Sequence, residues 1–189
     1  MRLLALMIGT VLLIGCASKP VESEAELQAR LLALPENAPL WIHTPDDLPE
    51  RMGASGAALP MQAGLQFQQI EANARAKERL MDRINIQTQH AALALYEAMG
   101  VDVGSEALRT MGMMTASGAI GYAKRTHLWW APSNELYLHL TLDRRIAKGV
   151  AMENIRLYVR SIDEHDAAYR ALAQPQLLRT LCAEVFGVE

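Results

Sequence analysis

The 189-residue sequence contains only two cysteines, and it has no excess of basic side chains. Its 18 lysines and arginines and 21 aspartates and glutamates give a formal net charge of -3, which offers no electrostatic basis for binding nucleic acid. No glycine-rich phosphate-binding loop follows a predicted strand, and no group of residues has the pattern of a catalytic set. We therefore expect no nucleic-acid partner, no cofactor and no catalytic residues, and we predict that the protein is not an enzyme.

A long apolar run occurs once, from Leu3 to Ile14, directly after Arg2. As a helix it would span about 18 Å, and a bilayer core is about 30 Å thick, so the run is too short to cross a membrane. A positive start, a short apolar segment and small residues after it are typical of a cleaved export signal. We predict a signal peptide over residues 1–15; the alternative is a buried helix of the folded domain.

The four residues Leu13-Ile14-Gly15-Cys16 resemble the lipobox of bacterial lipoproteins. The resemblance implies cleavage after Gly15, attachment of diacylglycerol to the thiol of Cys16, and a further acyl chain such as palmitate on its new amino group. About two buried chains are enough to hold a protein stably on a membrane. Ala17 follows, where Asp tends to retain lipoproteins of Gram-negative bacteria at the inner membrane. We therefore predict Cys16 as the lipid-attachment site and the periplasmic face of the outer membrane as the location.

The second cysteine, Cys182, lies in a stretch whose apolar residues have helical spacing. With Cys16 acylated, Cys182 has no partner for a disulfide within its own chain. We predict a buried, unreactive thiol; the alternative is an intermolecular disulfide.

Two boundaries divide the rest of the chain. Residues 16–38 are predicted to form a lipidated tether with a short helix, whose leucines share one face between Glu24 and Leu34. Residues 39–189 are predicted to form a single periplasmic domain. From Pro35 to Pro60 the proline-rich chain is predicted to be loop or extended, with Trp41-Ile42 as a hydrophobic plug.

The clearest helix is predicted from Met61 to Arg83, with alanines that would let a sheet approach closely. Its predicted apolar face contains Phe67, Ile70, Ala74, Met81 and Ile84. Alternation from Arg83 to Thr88 predicts a short strand; the alternative is one helix from Met61 to Met99. Further helices are predicted from Ser105 through Met114 and from Asp163 to Phe186, the latter with a capping box at Ser161 and Glu164 and a break at Pro175. The segment from Ile155 to Val159 fits either a strand or a helix.

A β-hairpin is predicted from two alternating segments, 120–130 and 135–143, which flank Pro132-Ser133-Asn134. Asn134 is expected in the left-handed conformation, which asparagine tolerates. On the core face the register pairs Trp130 with Leu136, Leu128 with Leu138 and Thr126 with Leu140. On the other face it pairs Trp129 with Tyr137, His127 with His139 and Arg125 with Thr141. That second face is predicted to be amphipathic and either partly covered or part of an interface.

Metal sites have little support in the sequence. Of five histidines, only His127 and His139 are brought together by the hairpin, and zinc needs at least three protein ligands. We interpret both as surface-facing strand residues and predict no metal site. The acidic pair Asp46-Asp47 provides too few oxygens for a calcium loop.

Several short motifs occur in a recognisable order: Pro39-Leu40-Trp41-Ile42, an Ala/Arg-rich helix over 72–80, Gly121-Tyr122, Trp129-Trp130 and Leu136-Tyr137-Leu138. Together with the lipobox, this order resembles the twenty-kilodalton bacterial outer-membrane lipoprotein family, which includes flagellar-assembly lipoproteins. The resemblance spans roughly Pro39 to Asp143; the hairpin turn lacks the glycine often found in the family, and residues 150–189 have no counterpart. It implies an α+β fold with a long amphipathic helix packed on a small antiparallel sheet, to which this chain adds C-terminal helices.

The expected function is a structural or assembly role in the cell envelope, of which a flagellar motor is one example. The expected partners are other proteins or further copies of the chain. An alternative is a periplasmic ligand-binding lipoprotein that uses Trp129 and Tyr137 as an aromatic platform. A periplasmic hydrolase is a third hypothesis.

Overall fold

The protein is described from a computed structural model, which covers residues 37–161 and 175–188 together with Ala29 and Leu34. The chain divides into two units, residues 1–33 and 34–189, and the sheet and the helices packed around it lie in the second. The predicted signal peptide, Cys16, nearly all of the tether helix, and the capping box with Glu164 lie outside the described residues.

The described residues form three strands and four α-helices. They are β1 (Arg51–Ala58), α1 (Leu65–Ala98), α2 (Ser105–Ala119), β2 (Lys124–Trp130), β3 (Leu136–Asp143), α3 (Arg144–Ser161) and α4 (Pro175–Phe186). The strands form one antiparallel sheet in the order β1-β3-β2. The predicted α+β fold, with a long helix packed on a small antiparallel sheet and C-terminal helices, is confirmed. None of the described helices is both long enough and apolar enough to cross a membrane.

Helix α1 is continuous over 34 residues, and its buried side chains recur at every fourth position. They include Gln68, Ala72, Ala76, Leu80, Ile84, Thr88, Ala92 and Tyr96. A helix has 3.6 residues per turn, so each step of four turns this stripe by about 40°. The amino-terminal part packs on β1 and β3, and α2 and α4 also pack on the helix. The predicted strand from Arg83 to Thr88 is wrong, and the alternative of a single long helix is correct.

The predicted apolar face of α1 is wrong near its beginning, where Phe67 is 56% and Ile70 is 63% exposed. Gln68 lies on the buried stripe instead, and its Nε2 donates to the carbonyl oxygens of Ala58 and Asn134, both at 2.9 Å. This amide side chain joins the end of β1 to the hairpin turn, so hydrogen bonding offsets its burial.

Helix α1 approaches the sheet closely because small residues meet at the contact. A Cβ at Gly56 would lie only 2.1 Å from the Ala72 carbonyl oxygen and 2.3 Å from the Ala76 nitrogen. The face of the sheet that carries Gly56 therefore lies against α1, and the β3 leucines that pair with this side of β1 are fully buried. The expectation that helix alanines allow a close sheet is confirmed.

The hairpin register is correct for the four pairs nearest the turn and wrong beyond them. Trp130, Trp129, Leu128 and His127 pair with Leu136, Tyr137, Leu138 and His139 as predicted, and Asn134 has a φ of 61°. A bulge at Thr126 then shifts the register, so that Arg125 pairs with Leu140. A bulge inserts one residue into one strand, and the alternation of side chains does not reveal its position.

Strand β1 lies within the segment predicted as loop or extended chain, and it makes β3 the central strand. Strand β2 is consequently at an edge of the described sheet. Leu128 and Trp130, which were predicted to lie in the core, are 39% and 41% exposed. Helix α1 covers β1 and β3, and these two side chains project beyond that cover.

Helices α3 and α4 complete the core. Buried residues again recur every four positions in α3, at Ala147, Ala151, Ile155 and Val159, so the strand alternative for this segment is wrong. Cys182 in α4 is fully buried with a free thiol, as predicted, and burial raises its pKa to about 12. Pro175 is the first residue of α4, a position where its missing N–H is not needed by the helix.

Candidate functional site

The face of the sheet opposite α1 is covered by the segment 40–47. Gly53 in β1 makes this cover possible, because a Cβ there would lie 1.7 Å from the Pro45 carbonyl oxygen and 2.7 Å from His139 Nε2. The Ser55 hydroxyl donates to the Ile42 carbonyl at 3.2 Å, and Ile42 is buried. The predicted plug at Trp41-Ile42 therefore lies against the second face of the sheet.

His139 lies at the centre of this covered face and has no exposed surface. Its Nε2 donates to the Pro45 carbonyl oxygen at 2.7 Å, and since a carbonyl can only accept, Nε2 must carry the hydrogen. Burial lowers the pKa of His139, although the Pro45 bond and the charges of Asp47 and Asp46 act in the opposite direction. The ring is therefore neutral at neutral pH, with the lone pair of Nδ1 facing β2.

The bulge brings two consecutive side chains of β2 onto that lone pair. Thr126 Oγ1 lies 2.8 Å and His127 Nδ1 lies 3.2 Å from His139 Nδ1. Neighbouring residues of a regular strand point to opposite faces, so both contacts require the irregularity between Arg125 and His127. The bulge in β2 thus directs the Thr126 hydroxyl and the His127 imidazole toward the same atom, His139 Nδ1.

Trp41 covers the histidine pair. Its ring stacks on His139 and His127 with centroid distances of 5.2 and 5.8 Å, and the two histidine rings are 5.5 Å apart. The indole limits the access of water to His139, while His127 remains exposed.

Two neighbouring aspartates in the covering segment have different partners. Asp46 forms ion pairs with Arg83 of α1 at 2.7 Å and Arg144 of α3 at 2.6 Å, and it accepts from the Gly53 amide at 2.9 Å. Arg83 also donates to the Gly53 carbonyl oxygen. Burial by itself raises the pKa of Asp46, but the hydrogen bonds from Arg83 and Gly53 and the charges of both arginines outweigh it and hold the pKa below its ordinary value.

Asp47 is exposed and lies next to the histidines rather than the arginines. One carboxylate oxygen of Asp47 and one ring nitrogen each of His127 and His139 all lie within 4.8 Å of one another. The sequence predicted the pairing of the two histidines but not the third group. Its only signal was an acidic pair in a proline-rich loop, and the position of such a loop depends on the tertiary fold.

The interpretation of both histidines as surface-facing is wrong for His139, because the segment 40–47 covers it. The structure also differs from the aromatic platform that was predicted at Trp129 and Tyr137. Trp129 and Tyr137 are in contact, with ring centroids 5.6 Å apart, but Tyr137 is buried and its hydroxyl donates to Glu135 Oε2 at 3.0 Å. Tyr137 therefore cannot present its ring to a ligand in this conformation.

Comparison of the chain with models of protein families gives no match, and comparison with curated proteins gives none either.

Proposed function

We propose that the protein is a lipid-anchored outer-membrane lipoprotein that faces the periplasm and has a structural or assembly role in the cell envelope. The location is supported by the apolar run and by Leu13-Ile14-Gly15-Cys16, which together resemble a lipoprotein export signal. The acyl chains on Cys16 would keep the domain at the membrane surface. A flagellar motor is one envelope machine of this kind.

The assembly role is supported above all by β2, which is an edge strand of the sheet among the residues that the structure describes. Leu128 and Trp130 lie side by side on the helix-facing side of the sheet, beyond the cover of α1, and about two-fifths of each is exposed. Exposed apolar groups next to an unpaired strand edge are a typical surface for protein contacts, including the addition of a partner's strand. Lys124 and Arg125 begin the same strand, and charged residues at an edge discourage unspecific pairing.

The anchor is tested with Cys16→Ser. Wild-type protein is expected to incorporate labelled palmitate and to sediment with outer membranes, and the variant is expected to lose the label and leave that fraction. A labelled variant, or an unlabelled wild-type protein, would contradict the lipoprotein assignment.

The contact surface is tested by placing a photo-crosslinking amino acid at Leu128 in living cells, with Lys77 on the exposed side of α1 as the matched control position. We expect an adduct of discrete mass at position 128 and none at 77. Equal crosslinking at both positions, or none at 128, would contradict an assembly role for β2. An adduct with twice the mass of the chain would identify a second copy as the partner.

A further inference from the structure

The geometry points to a binding site for a divalent transition metal, with Zn²⁺ as the best-fitting ion, formed by His127, His139 and Asp47. Neither the lipid anchor nor the exposed side chains of Leu128 and Trp130 contribute to this site.

The spacing of the two histidine nitrogens fits a shared metal. In a tetrahedral zinc site with Zn–N distances of about 2.0–2.1 Å, two ligand nitrogens are about 3.3 Å apart. The Nδ1 atoms of His127 and His139 are 3.2 Å apart. An ion bound by both nitrogens therefore needs little movement of the hairpin.

The outer contacts of His139 are those of a metal ligand. Metal-binding histidines commonly donate their second N–H to a carboxylate or a backbone carbonyl, which orients the ring and sets its tautomer. Nε2 of His139 donates to the Pro45 carbonyl in this way. The lone pair of Nδ1 is consequently directed toward β2, where the Thr126 hydroxyl donates to it at 2.8 Å and would have to give up this bond when an ion enters.

Asp47 supplies the third ligand. One of its carboxylate oxygens lies within 4.8 Å of a ring nitrogen of each histidine, so the carboxylate must move closer to complete a tetrahedral arrangement. Asp47 is exposed, and its side chain has room to turn. The neighbouring Asp46 is held by Arg83 and Arg144 and does not compete for the ion.

The cluster depends on features that bring distant parts of the chain together. The bulge at Thr126 aims two adjacent β2 residues at His139, and Gly53 leaves room for Pro45 to reach it. Two imidazoles and one carboxylate suit zinc better than magnesium or calcium, which prefer oxygen ligands. Three protein ligands leave a fourth position for water or for a group from a partner.

A bound ion would join the segment 40–47 to β2 and β3, and this gives the experiment two readouts. The full chain is purified from membranes in mild detergent, treated with EDTA, exchanged into metal-free buffer and titrated with ZnCl₂ by calorimetry. We expect one zinc per chain. At a hundredfold excess over Kd, zinc is expected to raise Tm by roughly 5–10 °C.

Matched variants separate the site from unspecific binding. His127→Ala and Asp47→Asn alter exposed side chains, so both are expected to fold, and circular dichroism in EDTA checks this. His127→Ala should weaken zinc binding by about 100-fold or more, since changes in outer contacts alone cost about 10–100-fold. His90→Ala, on the exposed side of α1, should leave the affinity unchanged.

Cobalt provides an independent check on geometry. Co²⁺ in place of zinc should give the strong visible absorption of a tetrahedral site in the wild-type protein and in His90→Ala, and no such absorption in His127→Ala. Absence of a zinc-induced Tm shift in the wild-type protein, or equal zinc affinity in wild type and His127→Ala, would overturn the proposal.

Discussion

At Gly53, β1 and the covering segment approach so closely that only a hydrogen atom fits between them. Gly53→Ala would force the Pro45 carbonyl away from the sheet and would break its bond with His139. We expect a loss of stability of about 1–3 kcal/mol, as is typical of overpacking, together with a change in tryptophan fluorescence as Trp41 separates from the histidines.

Gly149→Ala is the matched control for this substitution. Gly149 is exposed within α3, and a Cβ there meets no atom within 4 Å. Alanine is the better helix former by up to about 1 kcal/mol, so urea denaturation should show a small gain in stability. Equal effects of the two substitutions would show that the contact at Gly53 does not hold the segment.

Asp46 joins its own segment to α1, α3 and β1, through ion pairs with Arg83 and Arg144 and a hydrogen bond from the Gly53 amide. Asp46→Asn removes the charge and leaves the largely buried Arg144, whose side chain is 13% exposed, without this partner. We expect a loss of about 1–3 kcal/mol in urea denaturation at neutral pH. Glu106→Gln breaks the exposed pair with Arg109 and should change nothing measurable. An effect of Glu106→Gln as large as that of Asp46→Asn would argue that general surface charge, rather than this junction, is responsible.

At the scale of elements, α1 is the clearest test of sequence periodicity. The segment 83–88 alternates as a strand does, and in a strand Ile84 and Ile86 would share one face. In the helix they do not, since Ile84 is fully buried and Ile86 is 51% exposed. The buried residues of α1 follow one another at intervals of four. Within a short stretch, that spacing also allows apolar residues at alternate positions, which resembles the pattern of a strand.

The pair Ile84→Ala and Ile86→Ala distinguishes the two structures in solution. The first should cost about 2–5 kcal/mol because it leaves a cavity in the core. The second should stay within about 0.5 kcal/mol, because the side chain is at the surface. Equal losses in chemical denaturation would favour the strand.

The hairpin shows which features a local sequence pattern can predict and which it cannot. Four cross-strand pairs and the left-handed Asn134 follow from the turn and from alternation, both of which act over a few residues. The bulge at Thr126 and the exposure of Leu128 and Trp130 do not follow, since they depend on where β1 and α1 lie.

At the scale of the whole molecule, α4 returns to pack on α1 and α3 and buries Cys182. The folded-state pKa of about 12 exceeds the ordinary value of 9.0, so the folded protein holds this proton more tightly than the unfolded chain. The associated stability is complete below about pH 9 and is lost as the pH rises toward 12.

We therefore expect wild-type protein to lose about 1.4 kcal/mol more per pH unit than Cys182→Ala between pH 9 and 12. Urea denaturation at several pH values measures this difference. In a Cys16→Ser background, where Cys182 is the sole thiol, a thiol reagent should react at pH 8 only after unfolding. Rapid reaction of the folded protein would show that α4 opens locally.

Local pattern by itself determined most of the helical segments, the hairpin turn and the burial of Cys182, because each depends on spacing within a few turns of helix or a few residues of strand. The fold class was implied by the resemblance of the ordered motifs to a known family. Tertiary structure decided the rest. It pairs β1 with β3, and it joins Pro45 to His139 across 94 residues and Asp46 to Arg144 across 98 residues. Nothing in the sequence of these segments indicates that they contact one another. The histidine cluster belongs to this second group. Its members come from one loop and two strands, and only the packing of that loop on the sheet places a carboxylate beside the two imidazoles.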